Sequence, residues 1–182
     1  MFDYQIDENL KLILPQQHHA EELTKVAREN LEQLKLWMVW ATDDFSVDKA
    51  QEFIEFNLKQ FAENRSFTTI ILLEEKLVGG IGFHSLDTKN KNAQIAYWLA
   101  REAQGKGIVT RCCRRLFDYL FDEFDLNRIQ INCNVENIKS RGVPERLGCG
   151  LEGIHRQIEF HNDRFRDLAV YAMLKEDWKK EN

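Results

Sequence analysis

The sequence predicts an α/β (α+β) fold: one mixed, mostly antiparallel sheet of about seven strands with a parallel pair at its centre, flanked by helices. Three observations lead there. Ala93, Ile95, Tyr97 and Leu99 alternate with Gln94, Ala96 and Trp98, and a glycine loop carries this strand into a helical stripe of Ile108, Cys112, Leu116, Leu120 and Phe124. A second alternating run over residues 128–135 follows that helix, and a strand reached through a helix lies parallel to the first, by a right-handed crossover. The remaining β-rich runs are joined by short turns, which make hairpins and therefore antiparallel pairs.

In chain order, Leu10, Leu12 and Leu14 alternate with Lys11 and Ile13, and Pro15 ends this first strand. Residues 18–36 keep helical spacing through Ala20, Leu23, Val26, Ala27, Leu31 and Leu34; His18 and His19, which open the helix, read as solvated surface. Trp37-Met38-Val39-Trp40 precedes the polar break Thr42-Asp43-Asp44, and two readings stand for its tryptophans: plain core, or an apolar wall for a bound substrate. Ser46 or Asp48 starts a further helix with Ala50, Phe53, Ile54, Asn57, Leu58 and Phe61 on one side. The runs 67–73 and 77–83 form a hairpin around Glu74-Glu75-Lys76, and Gly79, Gly80 and Gly82 mark a bulge or a close neighbour. Beyond the crossover, residues 140–147 read as a short helix stopped by Gly148 and Gly150, with Pro144 in its first turn. Strands over 152–160 and 166–174, turned by His161-Asn162-Asp163, complete the sheet.

With 182 residues, 43% hydrophobic and 30% charged, the chain suits a single domain spanning 1–182 that buries roughly 70% of its unfolded surface. A formal charge of −5 disfavours general affinity for nucleic acid and favours an amine or a basic polypeptide as partner. The first eight residues, MFDYQIDE, carry acids where a signal peptide has a basic and then an apolar region. No apolar run approaches ~18 residues, so no membrane span is expected. Cys112, Cys113, Cys133 and Cys149 lack the paired spacing of a zinc site; they are expected to be reduced core thiols in the cytoplasm, with neither metal nor disulfide.

The chemistry concentrates where the strand at 93–99 meets the helix. The first N–H groups of a helix have no acceptor within it and carry the positive end of its dipole, so they can hold an anion. Gly105 and Gly107 remove side chains from that approach, Lys106 adds charge and Thr110 a hydroxyl. The same glycines would also serve a tight turn that needs only their backbone freedom. A Walker loop does not fit, because the lysine stands between the glycines, and a dinucleotide fingerprint would need a third small residue at position 110.

Gln104-Gly105-Lys106-Gly107-Ile108-Val109 resembles the Q/R-x-x-G-x-G/A signature of the GNAT superfamily of acyl-CoA-dependent N-acyltransferases. Val109 departs from it, and a β-branched side chain there is expected to crowd a phosphate oxygen. Asn137-x-x-Ser140, Leu147-Gly148, Glu152-Gly153, Asp167 and Trp37-x-x-Trp40 narrow the resemblance to the ribosomal-protein-serine/alanine N-acetyltransferase branch, over nearly the whole chain; Cys149 stands where that branch usually has Phe.

The resemblance implies the GNAT fold and acetyl-CoA as cosubstrate. Pantetheine would lie between the two diverging central strands beside Trp98, Leu99 and Ala100, with the Leu99 N–H facing the thioester oxygen. Gln104, Gly105, Lys106, Gly107, Ile108, Val109 and Thr110 would hold the pyrophosphate, and Asn137 would bond the pantetheine arm. Ser140 would supply a proton or hydrogen bond to the departing thiolate, although Asn137 or Ser140 also reads as a cap of the following helix. Glu159 would be the general base through water, against the reading of a surface carboxylate. Arg111, Arg114, Arg115 and Arg141 could approach the nucleotide phosphate, although most of them read as a solvated charged face. The expected acceptor is a protein N-terminal amine, ribosomal-protein-like, and the expected assembly a cytoplasmic homodimer. A small amine such as a polyamine or an aminoglycoside is the alternative acceptor, and a non-catalytic acyl-CoA-binding domain the alternative class.

Overall fold

The structure, a computed structural model, describes residues 3–181; Met1, Phe2 and Asn182, which the expected 1–182 domain and the N-terminal reading include, lie outside the described residues. Among the described residues the strands are β1 (Asp3–Asp7), β2 (Leu10–Ile13), β3 (Phe67–Leu73), β4 (Lys76–Asp87), β5 (Asn92–Leu99), β6 (Arg128–Asn134), β7 (Gly150–His161) and β8 (Arg164–Leu174). They form one sheet in the order β1-β2-β3-β4-β5-β6-β8-β7. The helices are α1 (Ala20–Glu29), α2 (Leu31–Leu34), α3 (Val47–Ala62), α4 (Ile108–Asp122), α5 (Ile138–Arg146) and α6 (Lys175–Glu181).

The expected mixed sheet with a parallel central pair is present, with eight strands instead of about seven. β5 and β6 run parallel from Asn92 opposite Arg128 to Ile95 opposite Ile131, where their register stops, while β6 continues to Asn134 paired antiparallel with β8. The additional strand is β1, whose sequence DYQID has no fully buried side chain; it is held by antiparallel pairing to β2 and offers no apolar period to read.

The chain divides into two compact units. The first comprises the residues up to Gly82 together with Tyr97–Cys112. Its core joins Ile13, Leu23, Ile54, Ile70, Leu72 and Leu77, with Ala20, Ala27 and Ala50 buried among them on α1 and α3. Ser46 caps α3, its hydroxyl accepting the Lys49 N–H at 3.4 Å. The single helix expected over 18–36 is divided at Asn30, whose backbone leaves helical geometry (φ −111°, ψ 10°) while its amide donates to Val26 O at 2.9 Å. Such side-chain bonds to the preceding turn compete with helix propagation.

The second unit comprises Phe83–Ala96 and the residues from Cys113 onward. There Leu116, Phe117, Leu120 and Phe121 bury the stripe of α4, and Trp178 fastens α6 to it. The indole packs edge-on to Phe117 at 5.1 Å, donates to Asp118 Oδ1 at 2.9 Å and carries the Arg114 guanidinium 5.3 Å above its ring. α5 begins at Ile138, earlier than expected, because Asn137 is its cap; Pro144 therefore falls inside the helix and not in its first turn. Among the described residues no helix is long and apolar enough to cross a membrane.

Candidate active site

The glycine loop behaves as both a turn and an open cradle. Gly105 and Gly107 have φ of +76° and +69°, a region costly for other residues, and a Cβ on either would meet nothing within 4 Å. The Arg111 N–H bonds Gly107 O at 3.0 Å, so α4 opens at Gly107 and its first-turn N–H groups follow at once. Ile108 and Val109 are 1% and 9% exposed, whereas Gly105, Lys106 and Gly107 are exposed. Val109 therefore points into the packing, which argues against the expected crowding of a phosphate oxygen. Arg111 pairs with Asp7.

Gln104 departs from its expected role. Its N–H donates to Arg101 O at 3.2 Å and its side-chain amide to Leu99 O at 3.3 Å, so it shapes the loop and does not face an anion through its backbone.

The end of β5 is built for a backbone contact. Ala100 N–H donates to Val78 O of β4 at 2.8 Å. Successive strand residues present their polar groups to opposite edges, so Leu99 turns its N–H and C=O to the edge away from β4. Of Trp98, Leu99 and Ala100, Leu99 is thus the one that offers a backbone donor on that edge. Gly79 leaves room for the Trp98 carbonyl, and a Cβ at Gly80 would come within 2.8 Å of Trp98 Nε1, so the indole lies over Gly80. Trp40 meets it edge-on at 5.6 Å and Phe45 at 5.4 Å, which makes Trp40 part of the packing around Trp98.

Two residues that the sequence reading passes over also reach this backbone. Asn30 Oδ1 accepts the Arg101 N–H at 2.8 Å, and Gln33 Nε2 donates to Leu99 O at 3.3 Å.

In the second unit Asn137 and Ser140 share the start of α5. Asn137 Oδ1 accepts the Ser140 N–H at 3.1 Å, and Ser140 Oγ donates to Cys133 Sγ at 3.2 Å. Arg141, read as solvated, is instead held in place. Its Nε donates to Tyr171 Oη at 3.0 Å and its Nη1 to Val135 O at 3.2 Å, while Tyr171 donates to Glu145 at 2.7 Å. Burial pushes the Tyr171 phenol up, so it stays protonated as that donor.

Glu159 stands half-buried on β7, opposite Arg166 of β8. The register shifts between His155 and Glu159, Gln157 adopts φ +52° and its N–H donates to Asp167 Oδ1 at 2.8 Å. This bulge re-aims the residues that follow it, as bulges beside active sites do. Arg166 is 7% exposed and lies 3.8 Å from Glu136, which also pairs with Arg164 at 2.6 Å.

Comparison with known proteins identifies the family. An acetyltransferase (GNAT) domain model matches residues 9–150. YdaF of Bacillus subtilis (strain 168), provisionally named a ribosomal N-acetyltransferase, is 37% identical over 182 residues, all of both chains. The ribosomal-protein-serine acetyltransferase of Escherichia coli (strain K12) is 29% identical over 169 residues, 93% of this chain and 94% of that one. Among solved structures, the microcin C7 self-immunity acetyltransferase MccE in complex with acetyl-CoA and AMP is 29% identical, superimposes with a TM-score of 0.90, and is matched over 93% of this chain and 94% of its own. The chain belongs to the GNAT acetyltransferase family.

Proposed function

We propose that the protein acetylates the N-terminal amine of a ribosomal protein, with acetyl-CoA as cosubstrate. Similarity over at least 93% of this chain to two relatives named for ribosomal acetylation supports the acceptor. The observation that carries cosubstrate binding is the backbone of 105–108: two glycines at positive φ, open space where side chains would stand, and a helix start immediately after.

Acetyl-CoA supplies an acyl group already activated as a thioester; this chain binds, orients and moves protons. The N–H groups of residues 105–110 hold the pyrophosphate, with the Lys106 ammonium beside them. The Leu99 N–H faces the thioester oxygen as negative charge gathers there, a role worth ~3 kcal/mol per donor in comparable sites. The Asn137 side-chain amide bonds the pantetheine arm while its oxygen keeps the α5 cap. Glu159 takes the amine proton through water as the new C–N bond forms, and the Ser140 hydroxyl hydrogen-bonds the thiolate as the C–S bond breaks, with solvent supplying the proton that makes free CoA. An α-amine, with a pKa near 8 against about 10.4 for lysine, needs only modest help to become the neutral nucleophile.

The proposed setting is the cytoplasm, where ribosomal proteins are made, with the enzyme as a homodimer that binds neither nucleic acid nor membrane. The formal charge of −5 suits a basic acceptor. A small-molecule acceptor is the second reading, favoured by the similarity to MccE, whose complex holds AMP.

kcat/KM measured for peptides with ribosomal-protein N-termini and for a panel of polyamines and aminoglycosides separates these readings. Preference for a peptide supports the proposal, and preference for a small amine overturns the acceptor. Acetyl-CoA binding without transfer to any acceptor would make the protein a non-catalytic acyl-CoA-binding domain.

A further inference from the structure

The end of β5 is held by two side chains that stand in for a neighbouring strand. In a parallel ladder one residue of the partner strand bonds the C=O before and the N–H after the residue it faces. Around Ala100 those groups are Leu99 O and Arg101 N–H. They are taken by Gln33 Nε2 at 3.3 Å and Asn30 Oδ1 at 2.8 Å, with Gln104 Nε2 adding a second donor to Leu99 O at 3.3 Å. Asn30 is 6% exposed, and its remaining amide is anchored to Val26 O at 2.9 Å, so its orientation is fixed from behind. The break between α1 and α2 brings both side chains here: Asn30 is the residue at which the helix stops, and Gln33 follows in the single turn of α2.

We propose that Asn30 and Gln33 are positioning residues for acetyl-CoA. Together with Gln104 they satisfy the two groups that would otherwise draw in water or a strand, and they keep residues 99–101 extended with the Leu99 N–H presented. The ordering of that backbone is then completed during folding and is not a cost of binding, which is how preorganisation raises affinity. This inference rests on the assignment of the Leu99 N–H to the cosubstrate.

The test exploits the fact that a carboxylate cannot donate to Leu99 O, whereas a protonated carboxyl can. Acetyl-CoA dissociation constants are measured by calorimetry from about pH 4, below the ordinary glutamate value of about 4.3, to pH 8 for the wild type, Gln33→Glu and Gln33→Met. Gln33→Glu is expected to bind about fivefold more weakly than wild type at the upper end, the loss of one net hydrogen bond, and to recover as pH falls. Gln33→Met is expected to show that same loss at every pH. Wild-type affinity in both variants at the upper end, or a Gln33→Glu deficit that does not change with pH, overturns the proposal. If Gln33→Glu does not fold, Gln33→Met decides alone, with weaker binding in support and unchanged binding against. A wild type that does not bind acetyl-CoA would sink the acetyltransferase reading itself, and that outcome is distinct from wild-type binding with indifferent variants.

Discussion

Ser140 Oγ directs its proton at Cys133 Sγ, 3.2 Å away on β6. A thiol sulfur is a weak acceptor, so the hydroxyl gives up little when it turns to a stronger one such as a departing thiolate. Cys133 is 2% exposed, and in the proposed reaction it holds the hydroxyl until the thiolate departs.

Ser140→Ala is therefore expected to lower kcat by about 10², and raising the pH should not restore it, because the missing group serves the leaving thiolate and not the nucleophile. Acetyl-CoA affinity should change little, since Asn137 caps α5 through the backbone N–H of residue 140. Titrating kcat from neutral to alkaline pH checks this, and recovery at high pH would remove the assignment.

Glu159→Gln should behave in the opposite way. A lost general base is expected to reduce kcat by ~10² to 10⁴ near neutral pH. Part of that loss should return as the acceptor amine deprotonates by itself at higher pH. A wild-type rate across the range would leave Glu159 as the carboxylate opposite Arg166 and nothing more.

Gly107→Val should abolish most of the thermal stabilisation by acetyl-CoA, which for a native-state ligand at ~100 times its dissociation constant is ~2.7 kcal/mol. The substitution fills the open space before α4 and forces a β-branched residue to φ +69°, so the free protein should also melt lower. NADH and ATP should stabilise the wild type far less. Thermal unfolding with each ligand reads all of this, and an undiminished acetyl-CoA shift in the variant would move the anion site elsewhere.

The acid limb of the stability curve has an identifiable contributor. Hydrogen bonds from Lys175 at 2.7 Å and Lys91 at 2.5 Å hold the Asp125 carboxyl down at about 2. A depressed carboxyl stabilises the fold above its unfolded value of about 3.9, and that contribution disappears as pH falls through the folded value. Asp125→Asn should lower the melting point slightly at neutral pH, with the gap to wild type closing between about pH 4 and pH 2. Asparagine suits the φ of +50° at this position, so backbone strain does not confuse the comparison. A gap that stays constant with pH would mean that the ion pairs contribute nothing.

The central strand, glycine loop, helix and parallel strand were legible because apolar periods of 2 and 3.6 and a pair of glycines at a strand-to-helix junction are local signals. The hairpins on either side were legible for the same reason. β1 and α6 were not: DYQID lacks an alternating apolar face, and α6 is fixed chiefly by one residue, Trp178, 4% exposed. The burial of Val109 was not legible, because it depends on helix phase, which turns the side chain inward. Asn30 and Gln33 were invisible because their partners lie 71 and 66 residues away, and no local pattern marks a side chain that completes a distant backbone. The role proposed for Ser140 rests on the family resemblance and that for Glu159 on its place in the strand after the cofactor site as well, whereas the thiol beside Ser140 and the bulge before Glu159 appear only in three dimensions.

The most direct measurement incubates the protein with acetyl-CoA and a peptide bearing a ribosomal-protein N-terminus and an internal lysine, then locates the acetyl group by tandem mass spectrometry. Acetylation is predicted on the α-amine, dependent on Glu159 and Ser140, with the lysine left unmodified. An unmodified peptide alongside acetylated spermidine in a parallel incubation with that amine, or acetyl found on the lysine alone, would contradict N-terminal protein acetylation.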